Sequence, residues 1–251
     1  MLKWLRGEGC TWDDGTSSWA AQSGHLEALK WLRSEGCPWN VYTCSSAAEG
    51  GHLEVLKWLR SEGCPWDEGT IESAALGDHS EVLKWLRSEG CPWDGNAWKR
   101  AALNGDLEML KWLRSEGCPW DKEVWYYAAH FGHWQILKWL RSKGYAWDEG
   151  AWAGAARGGH LQILKWLKSE GCPWDEMTCS WDEMTCYGAA WGGHLEMLKW
   201  LRSKGCPWDE GTCSNAAKYG HLDVLRWAID NGCPYEVNED TRPAFESLGF
   251  A

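Results

Sequence analysis

The stretch Gly50 to Asp67 reads GGHLEVLKWLRSEGCPWD, and nearly the same words return along the whole chain. The tryptophan of its Lys-Trp pair recurs at Trp4, Trp31, Trp58, Trp85, Trp112, Trp139, Trp166, Trp200 and Trp227. Every interval is 27 residues except the one from Trp166 to Trp200, which is 34. Self-similarity at a fixed period of this length means an array of small supersecondary units, not one globular core.

Within the stretch, His52 to Glu62 carries apolar residues at Leu53, Val55, Leu56, Trp58 and Leu59. At 100° per residue they cover an arc of roughly 220°, too wide for a helix lying on a surface. Such a helix is packed on several sides, as in a stack. Gly51 is expected at the N-cap with Glu54 at N3, and the next copy has Asp78 and Glu81 in those places, a full capping box. Gly63 suits the left-handed position after the last turn, and Pro65 forbids continuation.

Full repeats then start at Asp13, Asn40, Asp67, Asp94, Asp121, Asp148, Asp175 and Asp209, each after a tryptophan. Asp and Asn are preferred N-caps, and a tryptophan just before the cap can staple to the fourth helical residue. This first helix runs to an Ala-Ala pair, such as Ala47 and Ala48, then to a Gly-containing turn. Residues 1–12 hold the second helix of a partial repeat, so the chain is expected either to continue a longer array or to present an exposed apolar end. Residues 13–235 hold eight repeats, and residues 236–251 read as a C-terminal cap. Between 174 and 187 the words WDEMTCS and WDEMTCY stand in tandem, and one copy is expected to loop out. The fold class expected is all-α: a single-handed solenoid of stacked helix–turn–helix repeats without β-hairpins.

The Ala-Ala pair, the Gly-His turn (Gly51, His52), the Val-Leu-x-x-Leu core (Val55, Leu56, Leu59) and the small residue after glycine (Gly63, Cys64) resemble the ankyrin repeat over residues 13–235. The repeats are shorter than the ~33 residues of that family. The deficit lies between Gly63 and Ala74, where the family places its β-hairpin finger, and Thr70-Ile71-Glu72-Ser73 stands where its Thr-Pro-Leu-His would be. The resemblance is to a short, Trp- and Cys-rich variety. It implies binding of other proteins through a stacked helical surface.

Composition narrows the function further. Net charge is −11, and no run of Lys and Arg exceeds two residues, so nucleic acid is not an expected partner. No apolar run approaches the ~20 residues of a membrane span, and the start MLKWLRGEGC has no signal-peptide apolar region. An intracellular, cytoplasmic protein is expected. Eight of the twelve cysteines fall in one column after the turn glycine, and Cys44, Cys179, Cys186 and Cys213 fall in a second. Equivalent cysteines in stacked repeats lie about 8–10 Å apart, beyond the ~7 Å between Cα atoms that a disulfide allows. Small buried thiols are expected. Seven of the eight histidines occupy the Gly-His turn and cannot converge on one metal. There is no GxSxG, phosphate loop, HExxH or CxxC. The chain is therefore expected to be a non-enzymatic scaffold with no cofactor. The alternative is a thiol- or metal-responsive protein that uses the cysteine columns.

The repeats differ most in four columns of the first helix, two before and two after the Ala-Ala pair. On a helical wheel these fall opposite the alanines, on the face left for solvent or a partner. In most repeats they hold Ser, Gly, Asn, Gln or Glu. In the fourth to sixth they hold Lys99, Arg100, Tyr126, Tyr127, His130, Phe131 and Arg157, and Tyr187 and Trp191 extend the set. Aromatics and arginine are what protein interfaces enrich. A protein partner with an acidic or mixed segment is expected to dock there.

Overall fold

The computed structural model describes residues 11–172 and 183–250. The chain divides into two compact units, Met1–Asp121 and Lys122–Ala251. The first contains α1 (Asp14–Gln22), α2 (Leu26–Ser34), α3 (Val41–Glu49), α4 (Leu53–Ser61), α5 (Glu68–Leu76), α6 (Ser80–Ser88), α7 (Asn96–Asn104) and α8 (Leu107–Ser115). The second contains α9 (Val124–His130), α10 (Trp134–Ser142), α11 (Gly150–Arg157), α12 (Leu161–Ser169), α13 (Glu183–Trp191), α14 (Leu195–Ser203), α15 (Glu210–Lys218), α16 (Leu222–Asp230) and α17 (Arg242–Leu248). No strand occurs among the described residues, and the fold is all-α.

Within each unit the first helices of successive repeats lie side by side: α1, α3, α5 and α7 in one, α9, α11, α13 and α15 in the other. The alanine pairs make this possible. Ala47, Ala48, Ala74, Ala75, Ala101, Ala102, Ala128, Ala129, Ala155 and Ala156 are all buried. At Gly154 the approach is closer still, because a Cβ there would stand 2.3 Å from the Tyr126 carbonyl oxygen. The second helices add a buried row of leucines, Leu56 and Leu59 in α4 for example, and turn Glu-Lys pairs such as Glu54–Lys57 outward. At the C-terminal end α17 lies on α15 and α16, with Phe245 fully buried beneath Tyr235.

Both turns of a repeat are Schellman motifs. In α4 the Cys64 amide donates to the Leu59 carbonyl and the Gly63 amide to Arg60, with Gly63 left-handed at φ 78°. In α3 the His52 amide donates to Ala47 and the Gly51 amide to Ala48, with Gly51 at φ 74°. This corrects the expected capping box. Gly51 and Asp78 close the first helix in the left-handed region and do not cap the second; His52 and His79 occupy those N-caps.

The histidine has a longer reach. The Nε2–H of His52 donates to the carbonyl of Gln22, the last residue of α1, at 2.9 Å. His79 does the same to Glu49 (2.9 Å), His160 to His130 (3.1 Å), His194 to Arg157 (3.1 Å) and His221 to Trp191 (3.0 Å). Each thereby satisfies a terminal carbonyl that has no partner inside its own helix. To get there the ring lies flat on the left-handed glycine of the preceding repeat. A Cβ at Gly24, Gly51, Gly132, Gly159 or Gly193 would be 2.5–2.7 Å from the ring of the next histidine.

One position departs from this. Asp78, at φ 58°, replaces the left-handed glycine, and Asp106 replaces the histidine that would lie on it. The carbonyl then needs another donor, and the Asn104 side-chain amide supplies it, reaching Leu76 O at 3.0 Å and Ala75 O at 3.2 Å. Contact with Asp106 holds the Asp78 carboxyl above its usual range. Three residues have changed together because they share one seat.

The first helices begin as expected in α1, α3, α5 and α15, with Asp13, Asn40, Asp67 and Asp209 at the N-cap. In α7, α9 and α11 the cap is instead Gly95, Glu123 or Glu149. Asp94 and Asp148 still accept from the amides of Asn96 and Gly150, so the turn is held one residue ahead of the helix. The tandem words at 174–187 lie largely outside the described residues. α13, which the second word enters, is nine residues long like its counterparts, with Thr185 and Cys186 buried as Thr212 and Cys213 are in α15.

The tryptophans ahead of the caps are rungs of a ladder. Trp39, Trp66, Trp93, Trp147 and Trp208 each meet the tryptophan of the second helix in their own repeat edge-on, at 5.8–6.0 Å. The guanidinium of the preceding repeat covers each of them: Arg33, Arg60, Arg87, Arg141 and Arg202 lie 4.0–5.0 Å from these ring centres. The residues expected to staple within the helix, Trp98 and Trp125, pack on Trp120 and Trp147 of the following repeat.

Two outcomes are expected. Asp106→His alone should destabilise the N-terminal unit, because Asp78 keeps a Cβ where the ring must lie. Adding Asp78→Gly should restore it, with a coupling of about 1–2 kcal/mol in a urea double-mutant cycle; additive effects would show that the two positions share nothing. His194 concerns pH. Burial holds His194 and His130 below the usual imidazole value of 6.5. The unfolded chain therefore takes up protons first, and stability is full above about 6.5 and falls as pH drops through the folded values. His194→Ala should cost about 1–3 kcal/mol by stranding the Arg157 carbonyl, and should flatten that fall in thermal melts between about pH 7 and pH 5. A pH dependence identical to that of the parent would overturn this account.

Candidate functional site

The variable columns of the C-terminal unit come from three neighbouring first helices. α9 brings Tyr126, Tyr127 and His130, with Phe131 just past its end. α11 brings Ala153 and Arg157, and α13 brings Tyr187, Gly188 and Trp191. Residues four apart lie on one face of a helix, so Tyr126 and His130, Ala153 and Arg157, and Tyr187 and Trp191 form three parallel stripes. Read across the helices, the leading column runs Tyr126, Ala153, Tyr187. The small residue between two large ones leaves a cleft of about 140 Å³, lined by Tyr126, Ala153, Arg157, Tyr187, Gly188 and Trp191.

Arg157 organises the cleft. Its Nη1 donates to the Tyr126 hydroxyl oxygen at 3.1 Å, and its guanidinium lies 3.8 Å from the centre of the Trp191 ring. Trp191 meets Tyr219 of the next repeat edge-on at 5.3 Å. On the other side Tyr126 stacks on His130 at 5.7 Å and meets Tyr127 edge-on at 5.3 Å, and His130 meets Phe131 at 4.6 Å. The result is one continuous run of rings with a cation set into it. Phe131 is 45% exposed, Tyr187 37% and Tyr219 47%, while Tyr126, Tyr127, His130, Arg157 and Trp191 are half-buried. Burial first, and the Arg157 charge second, push His130 below the usual imidazole range. It is therefore neutral at pH 7 and leaves Arg157 as the cation of the cluster.

The other two residues of the expected site belong to the N-terminal unit and have partners there. Lys99 Nζ stands 3.2 Å from Asp121. Arg100 holds Glu72 through Nε and Nη2, at 2.8 and 2.5 Å. Both are bound to carboxylates of neighbouring repeats, which reasoning within one repeat did not reveal. The sequence reading also passed over Ala153, Gly188 and Tyr219. For Ala153 the signal is an alternation of size along one column, Tyr126, Ala153, Tyr187; Gly188 and Tyr219 lie in other columns of the same face.

No three His, Cys, Asp or Glu side chains converge as metal ligands among the described residues. No helix among them is long and apolar enough to cross a membrane. No curated protein matches the chain. Residues 154–202, from α11 to α14, match the family model for ankyrin repeats (many copies). Ankyrin repeats are in general protein–protein interaction modules and typically non-enzymatic. With that match in two successive helix pairs, and the same pair recurring through both units, the chain is an array of ankyrin-like repeats.

Proposed function

We propose that this chain is a protein-interaction scaffold whose partner docks on the first helices around the Tyr126–Trp191 cleft. The observation that carries the reading is the setting of Arg157, a cation held between a tyrosine hydroxyl and a tryptophan face, beside exposed Tyr187 in the cleft and joined through Tyr126 and His130 to exposed Phe131. A ring packed beside a cation is the kind of anchor on which interface energy concentrates. Against a net charge of −11, a local cation among rings favours a segment that offers a carboxylate next to an apolar side chain. Lys99 and Arg100 belong to the N-terminal unit, where Asp121 and Glu72 already neutralise them, and the proposed surface does not include them.

The test uses a partner crosslinked to the full chain in its native cell extract, then purified. Changing Tyr127 and Phe131 together to serine should weaken binding at least tenfold, since ~1.4 kcal/mol is already that factor and an anchor ring contributes about 2 kcal/mol or more. Neither residue is among the buried core of α9, so the helical signal and melting should persist. Arg157→Gln should weaken binding and reduce its salt dependence. Unchanged affinity in both variants, with the fold intact, would place the partner on another face.

A further inference from the structure

The two cysteine columns meet inside each repeat. Cys186 of α13 donates its thiol hydrogen to the sulfur of Cys206, in the turn after α14, at 3.3 Å, and both are fully buried. Cys44 and Cys64, and Cys213 and Cys233, occupy the same two positions in their repeats and are buried likewise. Contact with the turn thiol pushes Cys44 and Cys213 well above the usual thiol range, while the turn thiols themselves donate to the Asn40 and Asp209 carbonyls. All three pairs are twenty residues apart, and all are reduced. Equivalent cysteines of different repeats are not involved, so the distance argument against bridges along a column does not apply.

We propose that Cys44–Cys64, Cys186–Cys206 and Cys213–Cys233 are three disulfide-forming sites, each able to tie the first helix of a repeat to the turn that ends it. A disulfide bond is about 2.05 Å long, so at Cys186–Cys206, from 3.3 Å, each sulfur has to move by roughly 0.6 Å. The oxidant we name is a small-molecule disulfide of the glutathione type. The turn cysteine, as thiolate, attacks one sulfur of it, forming a mixed disulfide and releasing one small thiolate. The helix cysteine, on losing its proton, attacks the protein-side sulfur of the mixed disulfide. The protein disulfide forms and the second small thiolate leaves. Two protein thiols are oxidised, one small disulfide is reduced to two thiols, and the two cysteine protons end on them.

The order of attack follows from the environment. Contact with the Cys44 thiol first, and the charges of Arg33 and Arg60 after it, let Cys64 give up its proton below the usual thiol range. The same contact and burial hold Cys44 far above it. Burial makes the reaction wait for a repeat to open, as expected for a bridge that sets stability and not for a fast sensor. The chain carries its own control. In the first full repeat Ser17 stands where Cys44, Cys186 and Cys213 stand, and its hydroxyl meets Cys37 at 3.2 Å. Serine therefore fits the position, and that repeat has no second thiol.

The test is made on the full chain, equilibrated with oxidised or with reduced glutathione. Thiols are then counted by alkylation under denaturing conditions, and bridged peptides mapped. Oxidation should lower the count from twelve thiols to about six if three bridges form. The three named pairs should appear in the map, Cys37 should stay reduced, and Tm should rise by about 5 °C or more. The variant Cys44→Ser, Cys186→Ser, Cys213→Ser should fold, form none of these bridges and gain no stability on oxidation. An unchanged thiol count, persistent glutathione adducts or bridges at other pairs would overturn the proposal. If the variant does not fold, the peptide map of the parent chain decides alone.

Discussion

The last carbonyl of a first helix has no donor inside its own repeat, and in α1, α3, α5, α9, α11 and α13 the packing of neighbours depends on how that vacancy is filled. A helix terminus packed against a neighbour is partly closed to water, and its last carbonyl still needs a donor. Here the donor comes from the next repeat, through a histidine laid over a glycine that can have no side chain. The requirement links three features that look separate in the sequence: the left-handed glycine, the histidine after it, and the spacing of 27 residues. It also explains why the first helices, and not the second, form the closest contacts in each unit. The alanine pairs bring those helices together, and the histidines set how far each is displaced along its neighbour. Asp78, Asp106 and Asn104 show that the requirement belongs to the carbonyl and not to histidine as such, since an asparagine amide serves when the glycine is lost.

Much of this was legible from periodicity. The helix pairs, the glycine stops, the buried alanines and the solvent-facing columns all follow from residues that sit near one another in the chain. What the repeat could not reveal were contacts that cross to the next repeat. Histidine at the turn was recognisable as structural, but its acceptor lies thirty residues back. The capping box at Gly51 was a misreading for the same reason: glycine is there for its conformation and its missing Cβ, and neither shows in a pattern of caps. The tryptophans before the caps suggest a local staple to the fourth residue of their helix. Their rings also meet the second helix and a guanidinium of the repeat before, contacts that no rule within one helix reveals.

The site divides along the same line. The variable face is legible because packing residues repeat and surface residues need not. That Lys99 and Arg100 have partners was not, because Asp121 and Glu72 lie in adjacent repeats. The cleft itself depends on Ala153, a residue too small to draw notice alone. Its effect appears only when three repeats are laid side by side. Cysteine shows the complementary case: reading along one column rightly excludes bridges between equivalent residues, yet the two columns face each other within a repeat.

The histidine seat has a consequence at the tandem words. His194 reaches Arg157 across 37 positions where its counterparts span 30, and it still lies on Gly159. The sequence between these partners is seven residues longer, yet the histidine keeps the same seat on α11 and its turn. Alignment of neighbours is therefore carried by the seat and not by the count of residues between them. An array aligned in this way stays in phase when that count changes.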